Sequence, residues 1–270
     1  MNRFNPEKEV NKTNFETRDQ VGFNHLPNKE ENTMKTVIHR AETRGHANHG
    51  WLDTHHTFSF ANYYNPERVH FGMLRVLNDD IVDGAKGFGT HPHENMEIIS
   101  IPLSGALEHK DSMGTNGVIK KNDVQAMSAG TGVFHSEYNH SSEDKVNFLQ
   151  LWIFPKYKDI KPRYDQKTFD PADRKNKFQE IVSPLESSGK GVKINQDAYI
   201  HMIDLDEGNS LKYNIKKEGN ALYLFVLDGE IEAGETSLYR RDGLGATDLE
   251  SLNLKATKNA EALLIEVPQN

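Results

Sequence analysis

The chain has 270 residues, 40 acidic against 32 basic, a formal net charge of −8 and no cysteine. This length permits one large or two ordinary domains without covalent staples; the acidity argues against direct nucleic-acid binding, which needs a basic patch; and disulfides and thiolate metal sites are excluded. No apolar run reaches the ~18 residues of a membrane span and the N-terminus has no apolar signal core, so a soluble cytoplasmic protein with no membrane attachment is expected.

Residues 1–33 are rich in Asn, Lys and Glu and show no period of 2 or 3.6, which predicts a weakly ordered extension. From Met34 onward the chain changes to short apolar runs broken by Gly, Asp, Asn and Pro: FGMLRVL, MEIISIPL, VNFLQLWIF, AYIHMIDL, ALYLFVL and EALLIEV. Runs of this length with turns between them predict strands. No long capped helical pattern interrupts them, so the fold class is all-β, a sandwich or barrel. The charged, Pro-punctuated stretch 155–179 is the expected linker between a first domain at 34–154 and a second at 180–270. The pattern L-x-G-x-[LI]-E occurs at 103–108 and again at 227–232, an echo that supports two copies of one β-unit.

Twelve of the thirteen histidines lie between residues 25 and 140, which concentrates the chemistry in the first unit. In GFGTHPHENMEIISIPLSG, His91 and His93 stand one residue apart, so in a strand both point to the same side, as do Asn95 and Glu97 if the strand continues. Pro92 between them lacks a ladder donor, which an edge or irregular strand end tolerates. In AGTGVFHSEYN, His135 and Glu137 form a second pair on one face. Imidazoles are costly to bury unless something meets their lone pairs. Brought together across a β-barrel, the two pairs supply three imidazoles and a carboxylate, a set that suits Fe(II), Mn, Ni, Cu or Zn and leaves positions open for substrate and dioxygen.

The other histidines take plainer roles. His55 and His56 are adjacent, point apart in an extended chain, and are satisfied locally; His46 and His49 belong to a Gly-bounded loop; His109 and Asp111 share a face and close a turn. Trp51, Trp152 and the FANYY aromatics are core or barrel rim. Carried through the echo, the second unit has Ile215, Lys217 and Ala221 where the first has His91, His93 and Glu97. Matching Asp242 to Asp123 puts Leu254 and Ala256 at the His135 and Glu137 positions, so one metal per chain is expected.

These two motifs, with RGHANHGWLDTHHTFSFANYYNP upstream, resemble the pirin family of the cupin superfamily over residues 37–268, and within it the bacterial pirin-like proteins assigned as quercetin 2,3-dioxygenases. The resemblance implies a bicupin, two face-to-face β-barrels of double-stranded β-helix type, with a single metal in the N-terminal barrel and a degenerate C-terminal barrel as scaffold. It carries over His91, His93, His135 and Glu137 as ligands, with Fe(II) the expected ion and Mn, Ni, Cu or Zn the alternatives. Most metal-binding cupins use the glutamate four residues after the histidine pair, here Glu97; pirins use the one two residues after the last histidine. Glu137 is therefore the expected ligand, and Glu97 an outer partner.

The resemblance further implies an oxidoreductase that takes a flavonol such as quercetin and dioxygen, uses Glu137 as catalytic base, and releases carbon monoxide on ring cleavage. Two alternatives stand beside it: a metal-dependent co-regulator that binds a protein partner without turnover, and an oxygen-independent cupin enzyme such as an isomerase. For the N-terminal extension, deletion of residues 1–33 is expected to shift the melting temperature by less than about 5 °C, which for a chain of this size corresponds to little more than ~1 kcal/mol. Calorimetry of the truncated protein checks it.

Overall fold

The computed structural model describes residues 34–270; the expected N-terminal extension lies outside the described residues. Apart from two short 3-10 turns, Ala41–Thr43 and Pro171–Arg174, the regular structure in this range is extended. In chain order come β1 (Lys35–His39), β2 (Gly45–Asn48), β3 (Leu52–His56), β4 (Leu74–Val82), β5 (Gly87–His93), β6 (Glu97–Ser104), β7 (Ala106–Asp111), β8 (Asn116–Lys120), β9 (Asp123–Ser128), β10 (Val133–Asn139), β11 (Val146–Ile153) and β12 (Arg163–Thr168). Then follow β13 (Gln179–Pro184), β14 (Val192–Ile194), β15 (Tyr199–Leu205), β16 (Ser210–Asn214), β17 (Asn220–Ala233), β18 (Thr236–Tyr239), β19 (Gly243–Thr247) and β20 (Ser251–Pro268).

The first unit pairs a seven-stranded sheet, β12-β9-β6-β11-β4-β3-β2, with a four-stranded one, β5-β10-β7-β8. The second is a single nine-stranded sheet with the spine β1-β19-β17-β20-β15-β13-β14, to which β16 and β18 attach. This is a bicupin of two jelly-roll units, but the expected barrels are not closed. In the first unit two separate sheets face each other across Leu52, Val82, Leu107, Ile119 and Phe148. In the second, β17 and β20 pair along their length with register breaks between Val226 and Ile231, and such bulges bend one continuous sheet around its core.

Burial on both faces explains the unbroken apolar runs. Ile99, Ile101, Leu149 and Leu151 of the first unit share a core with Ile200, Phe225, Leu263 and Ile265 of the second. The alternate residues Ile98 and Met127 turn inward and pack with Val133. The echoed glycines have a physical role as well: Gly105 and Gly229 sit at φ of +73° and +79°, and a Cβ at Gly229 would lie 2.0 Å from the Asn259 carbonyl oxygen. The strands concerned are flanked in the same way: Gly105 directly follows β6, which lies between β9 and β11, and Gly229 lies within β17, between β19 and β20.

Three features depart from the sequence pattern. The run FGMLRVL begins its strand only at Leu74, and β4 continues through Asn78, Asp79 and Asp80, residues typical of turns. It does so because each is paired: Asn78 Oδ1 meets His56 Nδ1 at 2.9 Å, Asp79 Oδ2 accepts from Arg241 Nε at 2.6 Å, and Asp80 accepts from the Thr54 hydroxyl. The stretch expected as a linker contains β12, which pairs with β9 and extends the first sheet. Finally β1, at the head of the expected first domain, pairs antiparallel with β19 in the sheet of the second unit.

Asp79 is the buried anion between units. Burial opposes its charge, but Arg241, Asn147 and Arg44 outweigh that and hold its carboxyl below the usual range. Asp79→Ala strands two buried guanidinium groups and is expected to lower unfolding free energy by about 3–5 kcal/mol, read by urea denaturation.

Candidate metal centre

β5 is the edge strand of the four-stranded sheet, the setting in which Pro92 is tolerated. Its neighbour β10 places His135 directly opposite His91. Along β10, Val133, His135, Glu137 and Asn139 are buried while Phe134 and Tyr138 are exposed, the alternation that period 2 requires. The His91, His93 and His135 rings converge, with centroids 4.9, 4.5 and 4.8 Å apart pairwise, and a nitrogen from each lies within 4.8 Å of the others.

The protonation pattern favours ligation. His91 Nδ1 lies 2.8 Å from the Gly89 carbonyl, which only accepts, so Nδ1 carries the proton and Nε2 the lone pair. His135 is buried and neither of its ring nitrogens has a partner. An unmet buried polar group costs about 1–3 kcal/mol, which a bound ion would relieve. Burial, with His135 and His91 nearby, pushes His93 down to about 4; burial, with His91 and His109, pushes His135 down to about 3. Both are neutral near pH 7, as metal ligands must be.

Glu137 is buried beside them. Its Oε1 accepts from Ser100 Oγ at 2.8 Å and its Oε2 from Gln150 Nε2 at 2.7 Å. A carboxylate oxygen of Glu137 groups at ligand distance with His135 and with His109, so two triads share His135: His91–His93–His135 and His109–His135–Glu137. Glu137 therefore meets the His91–His93–His135 triad only through His135 and does not group with His91 or His93.

His109 is the residue that the sequence pattern misassigned. Asp111 does close a turn, accepting from Met113 and Thr115 backbone N–H groups through Oδ1. His109, however, is fully buried: its Nε2 donates to Asp111 Oδ2 at 3.0 Å, and its Nδ1 lone pair has no partner. The signal was present in the H-x-D spacing, but it becomes legible only when β7 is paired with β10, which sets His109 opposite Glu137.

Glu97 lies apart from these triads. The strand does not continue from His93: Asn95 turns the chain at φ +48°, and Glu97 opens β6 in the other sheet. Its Oε2 accepts from Ser128 Oγ at 2.6 Å and from the Asn195 backbone N–H at 3.1 Å, a tie between units. Aromatic residues wall the histidine cluster, with Trp152 4.9 Å from His93 and Phe60 5.3 Å from Trp152. A separate cavity of about 290 Å³, lined by Val124, Phe169, Arg174, Met202 and Arg241, shares no residue with it.

In the second unit Leu254 and Ala256 are buried in an apolar core with Leu224 and Leu264, and Ile215 packs against it. Lys217 pairs with Asp197. Among the described residues, each group of three or more potential ligands lies in the first unit. No helix of the described residues is long and apolar enough to cross a membrane.

Two jelly rolls, one carrying a histidine–glutamate cluster and the other an apolar interior, define a bicupin with a candidate metal centre in its first unit. The chain belongs to the pirin family: the Pirin family model matches residues 37–153, and the model of the quercetinase C-terminal cupin domain matches residues 180–267. It is 40% identical over 231 residues to a protein of Escherichia coli (strain K12) named quercetin 2,3-dioxygenase, covering 86% of this chain and 98% of that one. It is 37% identical over 222 residues to a pirin-like protein of Caulobacter vibrioides, covering 82% and 95%. The solved structure of the bacterial pirin YhhW in complex with nickel(II), from Escherichia coli, superimposes with a TM-score of 0.82 at 37% identity, over 87% of this chain and 100% of that one.

Glu97 makes folding stability depend on pH. Burial raises its pKa from 4.5 to about 7, against the opposing bonds from Ser128 and Asn195. Between these values the unfolded chain ionises Glu97 while the folded one keeps its proton. Its contribution is therefore full below about pH 4.5 and is lost as pH rises towards about 7. Glu97→Gln, whose carbonyl still accepts both bonds, is expected to gain stability relative to the unmodified protein on going from pH ~5 to ~7.5, measured by urea denaturation at each.

Proposed function

We propose that this protein is a metal-dependent dioxygenase that opens the heterocycle of a flavonol such as quercetin and releases carbon monoxide. The observation that carries the proposal is the convergence of His91, His93 and His135, with the Glu137 carboxylate behind them, beside an aromatic wall. The names of the relatives supply the substrate class; the nickel complex of the Escherichia coli pirin supports a first-row divalent ion in this scaffold. Fe(II) is the expected ion, and the donor set also suits Mn, Ni, Cu or Zn. Residues 34–154 then supply the metal-binding cupin apart from β1, 155–179 the connection, which also lends β12 to that cupin, and 180–270 the degenerate cupin.

When bound, the ion supplies a Lewis acid for the substrate's 3-oxygen and the electron exchange that dioxygen chemistry requires. His91, His93 and His135 would hold it as neutral donors, leaving its positive charge available to the flavonolate. Glu137 takes the proton of the 3-hydroxyl. Each of its oxygens receives one hydrogen bond, from Ser100 or Gln150, which fixes the carboxylate plane and leaves lone pairs to accept that proton. Trp152, and behind it Phe60, offer the flat substrate a face to pack against.

Glu137→Gln keeps the shape of the side chain but cannot act as a base, so turnover is expected to fall by at least ~10²-fold while metal stays bound through the three histidines. His135→Ala is expected to lose the tightly held ion itself, read by elemental analysis after dialysis. The assay mixes metal-loaded protein with quercetin anaerobically, admits oxygen and detects carbon monoxide. Absence of carbon monoxide with Fe, Mn, Ni and Cu overturns the dioxygenase and moves the metal-dependent binding module ahead.

A further inference from the structure

We propose that His46, Asp53 and His55 form a second, weaker site for a divalent transition ion such as Zn²⁺ or Cu²⁺ on the surface of the first unit. The three residues lie on the β2–β3 hairpin, where His46 stands directly opposite His55. Asp53 precedes His55 by two residues and so projects to the same face. Both imidazoles are directed at one carboxylate oxygen: Asp53 Oδ1 lies 2.7 Å from His46 Nε2 and 4.0 Å from His55 Nδ1. The two rings stack at 4.4 Å with 18° between their planes.

Two donors on one ion with bonds of about 2.0–2.1 Å lie roughly 3 Å apart, so the hairpin already holds these atoms at nearly the required spacing without backbone movement. The adjacent His56 turns the other way and is occupied by Asn78, which makes the outward group a distinct set. β2 is the edge of its sheet, and all three side chains are at least one-third exposed, so water completes the coordination. Two imidazoles and a carboxylate select Zn²⁺, Cu²⁺ or Ni²⁺ over Ca²⁺ or Mg²⁺, which prefer oxygen ligands. None of these residues belongs to the cluster on β5 and β10, so the site stands or falls separately from the dioxygenase.

The chain's two tryptophans separate the sites, since Trp51 is two residues from Asp53 and Trp152 packs on His93. In a Trp152→Phe background, Cu²⁺ is expected to quench Trp51, and adding His46→Ala or His55→Ala should raise the Cu²⁺ concentration required by at least about tenfold, the lower end of what even outer-shell losses cost. Calorimetric titration of dialysed protein with Zn²⁺ is the companion measurement. It should show a weaker class of site that disappears in His46→Ala and in His55→Ala and persists in His135→Ala. Trp51 quenching indifferent to both surface substitutions, or a Zn²⁺ titration with no weaker class, overturns the proposal. Loss of the tight class alone leaves it standing and instead counts against the histidine cluster.

Discussion

Both large sheets are covered on two faces, and this requirement orders the rest of the molecule. One parity of β6 and β11, with Ile99, Ile101, Leu149 and Leu151, must meet the second unit; the other parity fills the first unit's own interior. Polar groups between the units are matched: the Asp79 carboxylate by Arg241, and the Glu97 carboxyl, which burial keeps protonated, by Ser128 and the Asn195 backbone. The four-stranded sheet is different. It is covered on one side, so β10 alternates buried and exposed residues along its length, and its inward parity is where β5, β7 and β10 gather polar side chains.

That difference accounts for what could be read from the amino-acid order. The pairs His91/His93 and His135/Glu137 were legible because they lie on one-sided strands, where side-chain parity alone decides orientation. Parity failed at Glu97, because a single left-handed residue, Asn95, turns the chain into the other sheet. It was insufficient at His109, whose neighbours His135 and Glu137 come from a strand more than twenty residues away. The continuation of β4 through Asn78–Asp80 was hidden for the same reason, since a partner such as Arg241 lies far along the chain. The bicupin fold was legible but the closure of its units was not: runs of apolar residues announce buried strands but not whether a hydrogen-bond ladder closes.

The two units show how one architecture can carry either a cluster of unmet polar donors or an apolar interior. They share the order of their central strands and a left-handed glycine at the matching place. The second unit also buries a carboxylate, Glu266, but there it receives bonds from the Tyr213 hydroxyl at 2.9 Å, the Lys216 and Lys217 backbone N–H groups at 2.8 and 2.9 Å, and Asn220 Nδ2 at 2.9 Å. Such a carboxylate is complete without a cation. His135, with both nitrogens unmet, is not. The contrast between a satisfied polar centre and an unsatisfied one separates the second unit from the candidate centre within the same fold.

The pairing of β1 with β19 bears on how the chain reaches this state during synthesis. β1 leaves the ribosome first among the described strands, yet its hydrogen-bonding partner is among the last to be made. Until β19 emerges, the backbone donors and acceptors of β1 have no native partner, and the large apolar face of the first unit lacks its cover. Such long-range closure slows folding and prolongs the exposure of strand edges. The nascent chain therefore passes through an interval in which its first half has been made and the strands that cover it have not.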